Sequence, residues 1–314
     1  MYYFIINPKA RSGKAADIWR EIKALCDKNE IQYRYVYTNY AGQMTDIMKR
    51  LTASGEPKHI VILGGDGSFN EAVNGLLNPD IHKLTFLPAG SGNDLSRGLE
   101  LTKEPLELFQ QLVEEDAGEE LQERYIDLGS VTYRQKGEER ERLFSVSCGL
   151  GFDAGICKEA NTSRLKKILN KIHLGKFSYV IIGVKQLFTW KPQPALLWVD
   201  DAQEPMRLER FLFMSAHVNP YEGGGYPFCP EAKNDDGYLD LCVAAGLRLP
   251  SLFPLVLLSK YGKHVGKKGI QIIRCKKVRI QVEEALAFHT DGEVHEDQRE
   301  IAICSNATGY WLIS

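Results

Sequence analysis

The sequence predicts an α/β plus all-β protein: a parallel sheet covered by helices, followed by an antiparallel β-sandwich. Three observations predict it. Short apolar runs alternate with helical patterns up to about residue 125. Beyond that point strand signals dominate, punctuated by Asp236-Gly237 and Asp291-Gly292. Two glycine-rich segments directly follow buried-strand patterns in the first part. Alternation of strand and helix argues for a parallel sheet with helices on its faces, whereas many strands with turn signals argue for a sandwich. The expected domains are residues 1–125 and 126–304, with a tail of about 305–314 returning to the first.

The opening run Tyr2–Ile6 is too short for a signal peptide and reads as the first strand. Ile18, Ile22 and Leu25 then recur at helical spacing. Residues 32–37 give a second strand, and Met44, Ile47, Met48 and Leu51 a second helix. Residues 60–63 give a third strand, followed by a helix whose apolar face holds Phe69, Val73 and Leu76 or Leu77. Residues 84–87 form a fourth strand before a short helix, and Leu106, Phe109 and Val113 mark another helix. In the second part, strands are expected at 126–133, 143–147, 195–199, 210–216, 239–244, 271–274, 277–281 and 300–303. Residues 310–313 are expected to return to the first sheet.

Composition excludes some classes. With 25% charged residues and a net charge of −2, no global basic field would draw the chain to nucleic acid. The seven cysteines show no C-x-x-C spacing, which suits reduced cytoplasmic thiols and argues against zinc or a disulfide framework. The longest uncharged apolar stretch is interrupted by Pro250 and Pro254 and falls short of the ~18 residues that span a bilayer.

The chemistry is concentrated where strands meet glycines. Residues 60–63 end in Gly64-Gly65-Asp66-Gly67-Ser68, and a helical pattern starts at once. Glycines let backbone N–H groups approach an anion, and a helix N-terminus adds partial positive charge. Asp66 would repel a bare phosphate, so its presence makes sense if a divalent cation lies between carboxylate and phosphates. An ordinary strand–turn–helix with a solvated aspartate fits this segment equally. Neither standard phosphate motif is met: Asn70 stands where a third glycine belongs, Pro8 where a Walker loop needs its first, and Ala15 follows Gly13-Lys14. A second strand end, at 84–87, runs into Pro88-Ala89-Gly90-Ser91-Gly92-Asn93-Asp94. Two such ends in succession build one crevice in an open α/β sheet.

Taken together, these motifs resemble the diacylglycerol kinase catalytic family in its bacterial soluble lipid-kinase branch, within the diacylglycerol kinase and sphingosine kinase-like superfamily. The family's Gly-Gly-Asp-Gly-Thr and Asn-Glu are matched by residues 64–68 and by Asn70-Glu71, and its Pro-x-Gly-Thr-x-Asn-Asp by 88–94. Asn7-Pro8 with Ser12-Gly13, the stretch 149–154, Gly223-Gly224-Gly225 followed by 230–240, and Asp291-Gly292-Glu293 complete the series in order. Ser68 and Ser91 stand where threonine is usual, and Ser147 where many relatives carry asparagine.

The resemblance implies a Rossmann-like nucleotide domain and a β-sandwich that takes a lipid substrate, with ATP and Mg²⁺ as cofactors. ATP phosphates would be held around Gly64, Gly65, Asp66, Gly67, Ser68, Asn70, Glu71, Gly90, Ser91, Asn93 and Asp94, with Asn7, Pro8, Arg11, Ser12, Gly13, Lys14 and Thr38 contributing from the first two loops. Catalysis would fall to Glu293 as general base, Asp66 through the nucleotide's Mg²⁺, and Asp291 beside the base. A further Mg²⁺ would take the side chain of Asp236 and the carbonyls of Lys233 and Tyr238. From the residues alone, the Asp291–Glu293 segment reads as an exposed hairpin turn, and 233–240 also fits a hairpin with solvated charges. His289 and His295 lack a third ligand at useful spacing and are assigned no metal.

The basic and apolar segment 164–188 reads first as a packed helix and second as a membrane contact. The expected activity is ATP-dependent phosphorylation of a lipid hydroxyl, diacylglycerol first, in a cytoplasmic protein that touches the membrane transiently; a homodimer stays open. Two rivals are a soluble-metabolite kinase of the NAD kinase or phosphofructokinase type and a nucleotide-binding regulator with little turnover.

Overall fold

The computed structural model describes residues 1–118, 123–162, 185, 190–248 and 251–313, with backbone alone at 160–162, 253 and 306–313. Of the basic segment 164–188, only Lys185 is among them, ion-paired to Glu159 at 2.6 Å; the rest lies outside the described residues. The chain divides into two compact units: residues 1–128, 234–236 and 307–314, and residues 129–233 and 237–306.

In the first unit, β1 (Tyr2–Ile6), β2 (Tyr33–Tyr37), β3 (His59–Gly64) and β4 (Lys83–Pro88) form a parallel sheet in the order β2-β1-β3-β4. The central strands are apolar throughout because both their faces are covered. Ile60, Val61, Ile62 and Leu63 are all fully buried. One face packs on α1 (Lys14–Lys28) and α5 (Pro105–Ala117) through Trp19, Ile22, Phe109 and Leu112. The helices α2 (Gln43–Thr52) and α3 (Asp66–Val73) pack on each other, and Phe69 of α3 meets Phe86 of β4 edge-on at 5.2 Å. A short α4 (Asp94–Gly98) follows β4.

His59, at the start of β3, bonds Thr85 Oγ1 through Nε2 at 2.8 Å and lies against Tyr2. Burial lowers its pKa from 6.5 to about 4. Between those values the unfolded chain binds a proton that the folded one refuses, so stability falls as pH drops through this window. The expected loss is up to about 3 kcal/mol. Urea midpoints at pH 7 and pH 4.5 should show a larger loss for the parent than for His59→Gln; equal losses would refute this.

The second unit is built from β5 (Glu123–Gln135), β6 (Glu138–Phe144), β7 (Ser147–Gly151), β8 (Gln193–Val199), β9 (Met206–Phe211), β10 (Phe213–His217), β11 (Tyr221–Glu222), β12 (Tyr226–Pro227), β13 (Leu239–Ala244), β14 (Ile270–Cys275), β15 (Lys277–Leu286), β16 (Phe288–Thr290), β17 (Glu293–Val294) and β18 (Gln298–Ile313). Strand β5 starts in the first unit, and β18 ends there, with Leu312 paired in parallel to Leu84. One antiparallel sheet runs β18-β15-β8-β9, with β5 paired to β18 and β6 to β5. The other runs β14-β13-β10-β7-β16-β17. Their inner faces meet in one core, with Val131, Phe144, Leu197, Ile280 and Ile301 on one side and Leu150, Met214, Leu241 and Phe288 on the other. This is the sandwich the strand pattern predicts. Residues of β15 alternate exposed and buried along 277–282, as a strand with one solvated face should.

Three expected strands are divided or merged in the structure. Residues 143–147 do not form one strand: β6 ends at Phe144 and β7 begins at Ser147, because the amides of Ser145 and Val146 turn to the Asp291 carboxylate. Residues 210–216 divide at Leu212, after Arg210 adopts a left-handed φ of 52°. The expected 300–303 strand and the returning tail are parts of the single strand β18. Among the described residues, no helix is long and apolar enough to cross a membrane.

Candidate functional site

In the first unit, the C-terminal ends of β1, β3 and β4 converge on one pocket. Asn7, just past β1, donates from Nδ2 to Ser68 Oγ at 3.1 Å. Arg11 and Ser12 hold left-handed backbone at φ 49° and 57°, a conformation that costs non-glycine residues energy and gathers at functional sites. Past β3, a Cβ on Gly64 would stand 2.5 Å from Ser68 Cβ and Oγ, and one on Gly90 would stand 2.7 Å from Gly65 Cα and from Asn93 Oδ1. The two glycine loops thus lie backbone to backbone, as only glycine permits. Gly90→Ala should cost about 1–3 kcal/mol in thermal or urea unfolding, the usual penalty of overpacking. Gly67→Ala, where a Cβ meets nothing within 4 Å, should not; equal losses would contradict the packing account.

Two carboxylates fix this arrangement. Asp66 accepts the amides of Asp94 at 2.9 Å and Leu95 at 3.3 Å, so it ties the first glycine loop to the N-terminus of α4. Glu71 accepts the amides of Gly42 at 2.8 Å and Met44 at 3.1 Å, which satisfies donors at the start of α2. Thr38 is buried, and its amide donates to Ile6 O at 2.8 Å.

The pocket, of about 430 Å³, is lined by Asn7, Arg11, Thr38, Gly65, Gly67, Ser68, Glu71, Gly90 and Ser91, together with Lys9, Ala10, Asn39, Tyr40, Ala41 and Met44, which no motif assigns to the site. Pro8, Ser12, Gly13, Lys14, Gly64, Asp66, Asn70, Asn93 and Asp94 lie outside this lining. Asp66 and Asp94 instead hold the loop backbone and α4, the latter through Arg97 at 3.2 Å.

In the second unit, Asp291 sits on the turn between β16 and β17, and Glu293 opens β17. Asp291 has φ 49°, and its carboxylate accepts the amides of Ser145, Val146 and Ser147 and the Ser145 hydroxyl at 2.9–3.0 Å. Glu293 is 56% exposed and ion-paired to Arg142, whose Nε also donates to Thr290 Oγ1 at 3.2 Å. His295 stacks on Phe288 at 4.8 Å, and burial, then the nearby Arg142 charge, hold its pKa down to about 4. Of the suggested metal ligands, Asp236 falls in the first unit and Lys233 and Tyr238 in the second; the Tyr238 ring lies under Arg274 at 4.7 Å and Lys276 at 5.1 Å.

The profile of the diacylglycerol kinase catalytic domain matches residues 1–121, and that of the YegS C-terminal NAD kinase beta sandwich-like domain matches 145–302, about half of the chain. The chain belongs to the diacylglycerol kinase catalytic family. A Bacillus subtilis (strain 168) relative named "Putative lipid kinase YtlR" is 27% identical over 295 residues, 93% of each chain. A diacylglycerol kinase of Staphylococcus carnosus (strain TM300) is 25% identical over 92% of this chain and 87% of its own. In fold, the chain matches a crystal structure described as "a putative diacylglycerol kinase from Bacillus anthracis str. Sterne", with a TM-score of 0.73 at 21% identity over 99% of this chain and 96% of that one. Yeast NADH kinase shares the fold more distantly, with a TM-score of 0.58 at 9% identity over 100% of this chain and 83% of that one.

For this diacylglycerol kinase family member, sequence spacing missed Arg142 and a part-buried cluster of Asp153, Glu222 and His289. Arg142 sits in an ordinary charged run, 138–142, with nothing to single it out. The cluster's residues come from three separate segments, so no spacing rule joins them: His289 has no further ligand at useful spacing along the chain, yet two carboxylates lie within 3.3 Å of it in space.

Proposed function

We propose that this kinase transfers the γ-phosphoryl group of ATP to a lipid hydroxyl, with diacylglycerol as acceptor and phosphatidic acid as product. The carrying observation is the glycine-lined pocket at the ends of β1, β3 and β4, in a chain of the diacylglycerol kinase catalytic family. Phosphoryl transfer is mainly positioning and charge neutralisation. The loops after β3 and β4 are free of side chains at Gly65, Gly67 and Gly90, so phosphate oxygens can approach their backbone. Ser68 and Ser91 add hydroxyls, and Lys9 and Arg11 add charge at the rim. The site fits a nucleotide with its metal, since Asp66 places a carboxylate at the junction of the two loops. Bound Mg²⁺ would neutralise charge on the transferring phosphates.

Glu293 takes the proton of the acceptor hydroxyl as its oxygen bonds to phosphorus and ADP leaves. Arg142 holds the carboxylate in place beforehand. Asp291 positions the turn rather than acting on substrate, because its carboxylate is committed to the 145–147 backbone. Asp236, with the carbonyls of Lys233 and Tyr238, is the proposed second Mg²⁺ position. The enzyme works from the cytoplasm on lipid at the membrane surface. ATP consumption that appears only with diacylglycerol micelles supports this reading. Consumption only with NAD, or none, would replace it with a soluble-metabolite kinase or a regulator.

A further inference from the structure

On the outer face of the six-stranded sheet, away from the sandwich core, β10 and β16 present Ser215, His217 and His289. Asp153, in the first turn of α6 (Phe152–Thr162), and Glu222, on β11, reach the same point. His289 Nε2 lies 3.2 Å from Glu222 Oε1 and 3.3 Å from Asp153 Oδ2. His217 Nε2 lies 3.3 Å from Glu222 Oε2, which also accepts from Ser215 Oγ at 3.0 Å. Both histidines are fully buried. We propose that Asp153, Glu222 and His289, with His217 at the edge of the group, form a site for one divalent transition-metal ion of the Zn²⁺ type.

Five observations carry this. The ligand atoms of Asp153, Glu222 and His289 all lie within 4.8 Å of one another. The 3.2–3.3 Å separations exceed the ~2.7–2.9 Å of charge-assisted hydrogen bonds. They approach the edge of a tetrahedron, about 3.3–3.4 Å, for metal–ligand bonds of ~2.0–2.1 Å. Neither histidine Nε2, nor either Asp153 oxygen, has a hydrogen bond of proper geometry, although all are buried. His217 Nδ1 faces the Asn219 carbonyl at 3.2 Å and so carries the ring proton. That leaves an Nε2 lone pair aimed at a carboxylate, which is repulsive unless a proton or a metal ion lies between. Finally, a Cβ on Gly149 would overlap Asp153 Oδ2 and stand 2.5 Å from His289 Nε2, so the absence of a side chain there keeps the centre open. Among the described residues, neither carboxylate has a lysine or arginine partner.

Mixed imidazole and carboxylate ligands favour Zn²⁺ and its neighbours over Mg²⁺, which prefers oxygen and keeps its waters. The ion would clamp α6, the β11 hairpin and β16 together. Ligation through Nε2 puts the His289 proton on Nδ1, where the Gly292 amide now points from 3.3 Å. Metal binding therefore displaces that amide and is felt in the Asp291–Glu293 turn.

The full-length protein, stripped with chelator and dialysed against Zn²⁺ or Co²⁺, should retain one equivalent and show a raised thermal midpoint, both lost in Glu222→Gln, whereas any rise given by Mg²⁺ should survive that substitution. Co²⁺ at the site should show the intense visible bands of tetrahedral nitrogen and oxygen ligation, without the near-ultraviolet thiolate band that cysteine ligation would give. Glu222→Gln should weaken Zn²⁺ binding by at least the ~10–100-fold that even an outer-shell change costs. The Co²⁺ spectrum of the parent protein decides the matter even where that variant misfolds. No retained ion, a thiolate band, or unchanged affinity in a folded Glu222→Gln protein would overturn the proposal.

Discussion

Glu293→Gln is expected to lower kcat by ~10²–10⁴-fold, the usual contribution of a positioned general base. Glutamine keeps the size of the side chain and removes its capacity to take a proton. ATP affinity should not change, because Glu293 is not among the residues that line the glycine-lined pocket. The ion pair with Arg142 sharpens the test. Arg142 occupies the Glu293 carboxylate, so it has to give way when the acceptor hydroxyl arrives. Single-turnover measurements on Glu293→Gln separate chemistry from binding. A slow chemical step with normal ATP binding supports the role, and a wild-type rate would remove Glu293 from it.

Asp66→Asn is expected to have the second-largest effect, at least ~10²-fold on kcat with about 1–2 kcal/mol lost in stability. Its carboxylate accepts two amides across the loops after β3 and β4. An amide side chain offers one oxygen, so one of those donors loses its partner and the negative charge at the start of α4 disappears. The stability loss comes from the tie alone. A loss of activity much larger than stability accounts for is expected if the carboxylate also faces the nucleotide's metal. Asp66→Asn with reduced stability and normal turnover would leave it a structural tie only.

Much of the fold is legible in the sequence because burial writes itself as periodicity. The unbroken apolar run of β3 reads as an inner parallel strand, and the alternating 277–282 stretch as a strand with one face in water. What fails is local geometry set by distant residues. The break between β6 and β7 exists because Asp291, far along the chain, captures the amides of Ser145, Val146 and Ser147. No propensity at 143–147 records that. The candidate site divides the same way. Glycine loops announce themselves, since Gly65 and Gly90 touch backbone to backbone and tolerate nothing larger. Arg142 and the Asp153–Glu222–His289 group do not, since they become neighbours only when strands pair.

The central claim is lipid phosphorylation, and the most direct test is transfer of labelled γ-phosphate from ATP, with Mg²⁺, into a panel of micellar lipids, with Glu293→Gln beside the parent. The account predicts label in diacylglycerol, recovered as phosphatidic acid, and none with Glu293→Gln although that protein still binds ATP. No label in any lipid from a protein that binds ATP tightly would contradict it.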